Sequence, residues 1–554
     1  MIVGTPGGRQ WLLSLLLAVF VLSPRVLVGQ SPADAFQAVL AELREASYLD
    51  KEAIAERLIA TGHPSAGPVL TALFEDRLFV RSQDQQVVIG KTNGDDVPSV
   101  PLVDPLTLAD AGTAATEGLT KIGTNNRLRR FLRTTVARFA LASPDAAVRL
   151  AAVKDMVRTL DASTVELLNQ RAAAETDMAV KYEIETGLAL AALDGDDPQI
   201  RLRAVETLSS RLRPEVRNRL AALIEPDASG QASEPDAAVR QAATDAVRSI
   251  DSSRTFYSGI ETLFFGLSLG SVLVLAAIGL AITFGVMGVI NMAHGELMML
   301  GAYTTYVVQM AMPNHIGWSI AVAVPAAFLV AGLAGVIVER TIIRFLYGRP
   351  LETLLATFGV SLVLQQLVRS VFSANNRSVE TPAWMSGTWQ INEALAITLN
   401  RLYIVAFTLI VFVTLLAVLK RTRMGLQIRA VAQNRGMARA MGIRSEWVDA
   451  ATFGLGSGIA GMAGVALSQL TNVGPNLGQA YIIDTFMVVV FGGVGNLWGT
   501  LIGGMSLGIV NKLLEPYAGA VLGKILVLVV LILFIQRRPR GLFPQTGRAA
   551  EGLS

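Results

Sequence analysis

Cysteine is absent from the 554 residues, which excludes disulfides, thiolate catalysis and Cys-ligated metal sites. Histidine is almost as scarce. His63, His294 and His315 are the three present, too few for a His-rich metal centre. Asp, Glu, Lys and Arg make up 16%, where a soluble globular chain carries about a quarter. None of them stands between Glu261 and Glu296. The formal net charge is only +3, and the basic residues gather beside apolar segments. Membrane orientation explains that placement better than nucleic-acid binding does, so no nucleic-acid partner is expected. A nucleotide-binding loop is also missing: Gly519 to Ile525, with Gly523 and Lys524, comes nearest to one but lacks both the spacing and the Ser/Thr for magnesium. The apolar part shows no Ser-His-Asp set and no paired carboxylates. No catalytic residue, cofactor or metal is therefore expected, and energy for uphill work would have to come from another chain.

What is present is apolar. Hydrophobic residues reach 52% and the mean hydropathy is positive. The average hides a split between residues 31–257, rich in Arg, Asp and Glu, and 262–536, mostly apolar with charges in short clusters. The start reads as a secretory signal over residues 1–30: Arg9, then an apolar core from Trp11 to Leu22, then small residues near Gly29. An uncleaved anchor is the competing reading. Either one sends the following domain, 31–257, across the membrane.

Ala-rich segments at helical spacing recur through that domain, at 32–46, 51–60, 66–74, 126–141, 145–160, 163–174, 177–192, 198–212 and 236–250. Pro144-Asp145-Ala146-Ala147-Val148-Arg149 and Pro235-Asp236-Ala237-Ala238-Val239-Arg240 open alike, with Pro198 to Arg201 a shorter cousin. Proline and an acid before an apolar stripe start a helix well, and repeated starts point to a HEAT-like stack of helix pairs. Residues 78–92 alternate enough for a hairpin. The carboxylates of this domain read as a solvated helical surface.

Nine apolar spans follow, at 263–284, 290–311, 317–339, 353–372, 402–419, 447–470, 481–495, 498–514 and 519–536. A crossing needs about 20 apolar residues. The fold class expected is thus all-α: a polytopic helical membrane protein of eight or nine spans, 258–545, with an extracytoplasmic helical domain before it and a tail at 546–554. Arg340, Arg344 and Arg349, then Lys420 to Arg444, then Arg537, Arg538 and Arg540 would all fall on the cytoplasmic side. The loop at 373–400, with Trp384 and Trp389, would face outward. An odd number of crossings is required, and 481–495 is the segment best suited to re-enter.

Four stretches combine polar groups with apolar surroundings. Asn291, His294 and Glu296 stand among Gly285, Gly288, Gly295 and Gly301, either as a turn between helices or as a broken helix lining a pathway. Thr357, Ser361 and Gln365 lie at i, i+4 and i+8 on one helix face, either as glue between helices or as a lining of neutral donors and acceptors. Phe491 to Gly499, with Asn496, repeats the Phe-Gly and Asn of 284–291, as paired interruptions in transporter halves do. If the two breaks frame one route, these groups meet near a shared axis, with Glu296 holding the break by accepting from backbone donors. The fourth stretch, Gln433 to Ile443, suits a short helix capped by Asn434 and stopped by Gly442. Met437, Ala438 and Met441 would form its apolar docking face, beside Gly436, with Arg435 and Arg439 on the flank. A helix lying on anionic membrane lipid is the alternative.

GVMGVINMAHGELMMLGAY (285–303), TLLATFGVSLVLQQ (353–366), RAVAQNRGMARAMGI (429–443), VVFGGVGNLWGTLIGG (489–504) and RPRGLFP (538–544) resemble the branched-chain amino-acid permeases of ABC importers. These five blocks in order cover nearly all of 262–545. Within that family the wording ERTIIRFLYGRPLETLLATFGVSLVLQQLVR and FGGVGNLWGT, with the extra domain before the first span, looks most like the urea ABC transporter permease branch. The resemblance implies an inner-membrane permease that moves urea, or branched-chain amino acids or short amides. It implies a second related permease, two cytoplasmic ATPases and a periplasmic solute-binding protein as partners, with 434–443 docking on the ATPase. A membrane-anchored helical-repeat interaction protein is the reading from outside that class.

Overall fold

The computed structural model of the chain describes residues 32–94, 97–226 and 233–543. The expected leader at 1–30 and the tail at 546–554 lie outside them. The described residues divide into two compact units, one up to 211 together with those of 218–247, the other 212–217 with those from 248 onward.

The first unit opens with three helices, α1 (Pro32–Glu42), α2 (Asp50–Ala60) and α3 (Ala66–Phe74). Strands β1 (Leu78–Arg81), β2 (Val87–Gly90), β3 (Ser99–Val103), β4 (Asp110–Ala115) and β5 (Leu119–Lys121) follow. They form one antiparallel sheet in the order β4-β3-β2-β1-β5. The hairpin expected at 78–92 is its centre, with Leu78 opposite Ile89 and Val80 opposite Val87. The rest of the sheet corrects the all-α expectation. Pro101 interrupts the β3 pattern and DAGTAA in β4 has no apolar alternation, so the periodicity that marks a strand is missing from both. Phe36, Leu58, Leu70, Leu73, Leu128 and Leu132 pack with Leu78 and Ile89 into one core.

Helices α4 (Asn126–Leu141), α5 (Ala146–Arg158), α6 (Ala162–Ala172), α7 (Met178–Ala192), α8 (Pro198–Leu208) and α9 (Pro214–Ile224) continue the chain. Asp145, Asp161, Asp177 and Asp197 are N-caps, each accepting from a backbone N–H in the first turn. The acid of each start therefore caps the helix instead of lying inside its first turn. Four residues after its cap, Arg149 donates to the Ser143 and Pro144 carbonyls and pairs with Glu175 at 2.9 Å. Arg201 repeats this on the Gly195 and Asp196 carbonyls and on Glu234 at 2.7 Å. Helix α9 is missing from the expected set although Pro214-Glu215 carries the same signal.

The segment expected to end near 250 runs on as α10 (Ala237–Met287), 51 residues without a break. After it come α11 (His294–Ala311), α12 (Ile316–Thr341), α13 (Pro350–Phe372), the hairpin β6 (Thr388–Asn392) and β7 (Leu395–Thr398), and α14 (Leu399–Arg421). Two short helices, α15 (Arg423–Gln433) and α16 (Arg435–Ala440), lead to α17 (Ser445–Ser468), α18 (Leu477–Gly492) and α19 (Leu497–Arg537). Six of these, α10, α13, α14, α17, α19 and the stretch containing α12, are long and apolar enough to cross a membrane. The expectation of eight or nine crossings differs for two reasons: α11 and α18 fall short, and α19 counts as one helix. Within α19, Gly519 takes a non-helical φ of 75°. A Cβ added at Gly523 would sit 3.6 Å from the Leu514 Cβ, so 497–518 and 520–537 fold back on each other. Beyond the second arm, the Leu542 and Phe543 amides donate to the Phe491 and Gly492 carbonyls at 2.9 and 3.2 Å.

Helix α17 is the axis of this unit, with 83% of its apolar window buried. Its glycines bring backbones together as small residues do in membrane bundles. A Cβ on Gly456 would lie 2.6 Å from the α10 carbonyl of Gly279, and one on Gly461 2.5 Å from the α12 carbonyl of Ala327.

Candidate functional site

The polar groups of α11 and α13 meet in the interior of the second unit. Glu296, in the first turn of α11, is 1% exposed. Its Oε1 accepts from Ser361 Oγ at 2.8 Å and from Gln365 Nε2 at 2.7 Å. Thr353, Thr357, Ser361, Gln365 and Val368 are the buried line of α13, while Leu355, Leu362 and Val363 face outward. The helical period alone puts the stripe on Glu296. One turn below, Thr357 Oγ1 donates to Leu354 O at 3.0 Å and accepts from Met292 N at 3.1 Å, holding the interruption between α10 and α11. Asn291 accepts from Ala293 N at 3.0 Å. His294 Nε2 lies 2.9 Å from Ala276 O. A carbonyl can only accept, so Nε2 carries the proton there.

Two corrections follow. Glu296 takes side-chain donors from α13, not backbone donors from its own break. Asn496 stays apart from the cluster. It caps α19, accepting from Gly499 N at 3.1 Å, and its Nδ2 donates to Phe543 O at 3.4 Å. The two breaks nevertheless touch through backbone, because a Cβ on Gly285 would stand 2.5 Å from the Gly495 Cα.

The start of α18 also reaches this site, and sequence reading missed it. A Cβ on Gly295 would lie 2.5 Å from Gly478 O, so the first turns of α11 and α18 lie side by side. Just before it, Asn476 accepts from Arg369 Nη2 at 2.7 Å. Helix N-termini carry partial positive charge, and interrupted helices whose ends converge on buried polar groups are how transporters build solute sites. Glu296 Oε2 and His294 Nδ1 are buried and without a hydrogen-bond partner among the described residues. The site offers carboxylate and imidazole acceptors, two hydroxyls, Thr357 and Ser361, and two amides, Asn291 and Gln365. No three metal-ligating side chains cluster among the described residues.

The loop between α14 and α17 forms a second locus. Asn434 caps α16, accepting from Met437 N at 2.9 Å, and Gly442 ends it with φ of 86°. Met437 and Met441 are exposed, at 64% and 79%. Ala438 is not part of that face: it is buried with Ile428, Val431 and Val448. Arg435 does not sit free on the flank either. Its guanidinium pairs with Asp449 and lies over the Tyr347 ring, 4.1 Å from its centroid. Arg439 Nε donates to Ser445 Oγ at 2.7 Å. Gly436 has open space around it apart from the Asn434 side chain. Asp449 was legible as a pointer, being an acid inside an expected span.

Comparison with known proteins matches residues 262–535 to the family described as branched-chain amino acid transport system / permease component. The high-affinity branched-chain amino acid transport system permease protein LivH of Escherichia coli K12 is 31% identical over 300 residues, covering 52% of this chain and 97% of that protein. BraD of Pseudomonas aeruginosa, a permease protein of the same description, is 29% identical over 296 residues, covering 52% and 96%. The ribose import permease protein RbsC of E. coli K12 is 28% identical over 263 residues, covering 46% and 77%. No solved structure matches the chain.

Proposed function

Since the chain belongs to the permease family of branched-chain amino acid transport systems, we propose that it is the membrane-spanning subunit of an ABC importer that admits urea. The buried Glu296–Ser361–Gln365 network at the junction of two interrupted helices carries the reading. A small, neutral, planar solute needs a few fixed donors and acceptors and no charge partner. Ser361, Gln365, Thr357 and Asn291 supply them, and Glu296 with His294 organises the break. Asn496 shapes the second break from outside the cluster. The importer is completed by a second related permease, two cytoplasmic ATPases that hydrolyse the ATP, and a periplasmic solute-binding protein. Residues 434–442 dock on the ATPase through Met437 and Met441. The protein lies in the inner membrane, with the HEAT-like N-terminal unit outside and the C-terminus in the cytoplasm.

The N-terminal unit supports the urea branch of the family. Almost all of LivH is used up in matching 300 residues of this chain, so the unit is an addition to that plan. The names of LivH and BraD favour a second reading, import of branched-chain amino acids. Uptake of radiolabelled urea and leucine by a deletion strain, with and without the restored gene, separates the two. Restoration of urea uptake alone supports the first, restoration of leucine uptake alone the second. Failure to restore either, with the protein present in the membrane, removes both.

A further inference from the structure

We propose that the Arg435–Asp449 ion pair is the link through which α16 moves α17, which makes Asp449 a positioning residue for coupled transport. The proposal rests on α16 being the ATPase-docking segment. Six residues cannot hold a helix by themselves, since isolated helices need about 12–15 residues even to be marginal. Three contacts hold this one. Ala438 enters the apolar cluster of Ile428, Val431 and Val448. Arg439 donates to Ser445, and Arg435 pairs with Asp449 while covering Tyr347. Both charged anchors end on α17, at its first residue and four further on. The opposite side of α16, Met437 and Met441, is bare. A push on the methionines is therefore delivered to α17 through these anchors.

Helix α17 cannot take up that push alone. The Gly456–Gly279 and Gly461–Ala327 approaches leave no room for sliding, because packed interiors shift between discrete arrangements instead of deforming smoothly. Added carbon at Gly464 would also meet the Ala302 amide at 2.8 Å, so α17 bears directly on α11, whose first turn holds Glu296. Asp449 itself is 1% exposed. A buried carboxylate paired with a guanidinium is costly to separate, which keeps α16 and α17 moving as one body.

The test uses the full importer in the deletion strain and as purified complex. It compares Asp449→Asn, Asp449→Glu and Met441→Asp. The readouts are membrane abundance, ATPase co-purification, uptake of radiolabelled urea and leucine, and ATP hydrolysis with and without solute-loaded binding protein. Because removing one partner of a buried ion pair also costs stability, each readout is taken per folded protein: Asp449→Asn is then expected to keep ATPase binding and basal hydrolysis, and to lose about tenfold in uptake and in the stimulation of hydrolysis, a typical coupling magnitude. Asp449→Glu keeps the carboxylate and retains most of the coupling. Equal losses in both Asp449 variants overturn the link. So does a fall in uptake that only tracks abundance, or unchanged stimulation in Asp449→Asn. Met441→Asp tests the docking reading separately: if it keeps both the ATPase and uptake, that reading fails whatever Asp449 does.

Discussion

Replacing Gln365 by Leu tests whether the buried carboxylate of α11 depends on α13. Glu296 Oε1 has two donors, Gln365 at 2.7 Å and Ser361 at 2.8 Å, and Oε2 has none among the described residues. A hydrogen bond to a charged group is worth about 1.5–3 kcal/mol, and a buried acceptor left short of donors adds a desolvation cost. Gln365→Leu is therefore expected to destabilise the second unit by about 2–3 kcal/mol, which is about a 30- to 150-fold change in the unfolding equilibrium. The same change made on Glu296→Leu removes only the long bond to Ser361 Oγ at 3.4 Å and should cost under about 1 kcal/mol, leaving a coupling energy of about 1–3 kcal/mol in the double-mutant cycle. Denaturant unfolding of the purified protein in lipid nanodiscs measures all four corners. Equal costs in the two backgrounds would show that no such bond exists. Uptake measured in parallel adds the functional half: in Gln365→Leu it falls further than abundance does if Gln365 also meets the solute.

Three further outcomes are expected. Glu175 is held down to about 2, chiefly by its hydrogen bonds from Arg149, with burial opposing and the Asp177 amide and Arg171 adding to it. A depressed carboxylate contributes stability above its unfolded value and loses it as pH falls. Exchange protection factors over 146–192, taken relative to the intrinsic rate at each pH, should thus be flat above about pH 5 and fall between about pH 4.5 and pH 2, and Glu175→Gln should abolish the window. Ala438→Glu would put a charge among Ile428, Val431 and Val448 and release α16. Protease cleavage near 435–443 should rise in the purified protein, whereas Met437→Ala should leave it unchanged. Gly461→Leu forces α17 and α12 apart against the Ala327 carbonyl and should lower the yield of folded protein severalfold, since overpacking costs about 1–3 kcal/mol; a normal melting temperature would refute the close approach.

Local chemistry was readable. Pro144-Asp145, Pro198 and Pro235-Asp236 announce helix starts, the 3.6-residue period puts Thr357, Ser361 and Gln365 on one buried line, and Asn434 and Gly442 bound α16 closely. Tertiary partners were not readable. Glu296 finds its donors 65 and 69 residues away, and no spacing rule reaches that far. The face of α16 was misassigned at Ala438 because a six-residue helix has too few turns to show which side is apolar. The outer strands of the sheet are specified by their neighbours more than by their own residues, as edge strands commonly are. The glycines at 456, 461 and 464 lie in an unbroken helix and mark where another backbone comes close, and spacing alone does not say which backbone.

The return of residues 541–543 to the end of α18 has a consequence for biogenesis. A chain is made from its first residue to its last, so the Phe491 and Gly492 carbonyls exist before the amides that will donate to them. Their partners, the Leu542 and Phe543 amides, are made only after the last helix. Until then the protein carries an open seam at the turn between α18 and α19. A chain cut short anywhere in its final arm would keep that seam open, so the end of α18 is closed only by a completed chain.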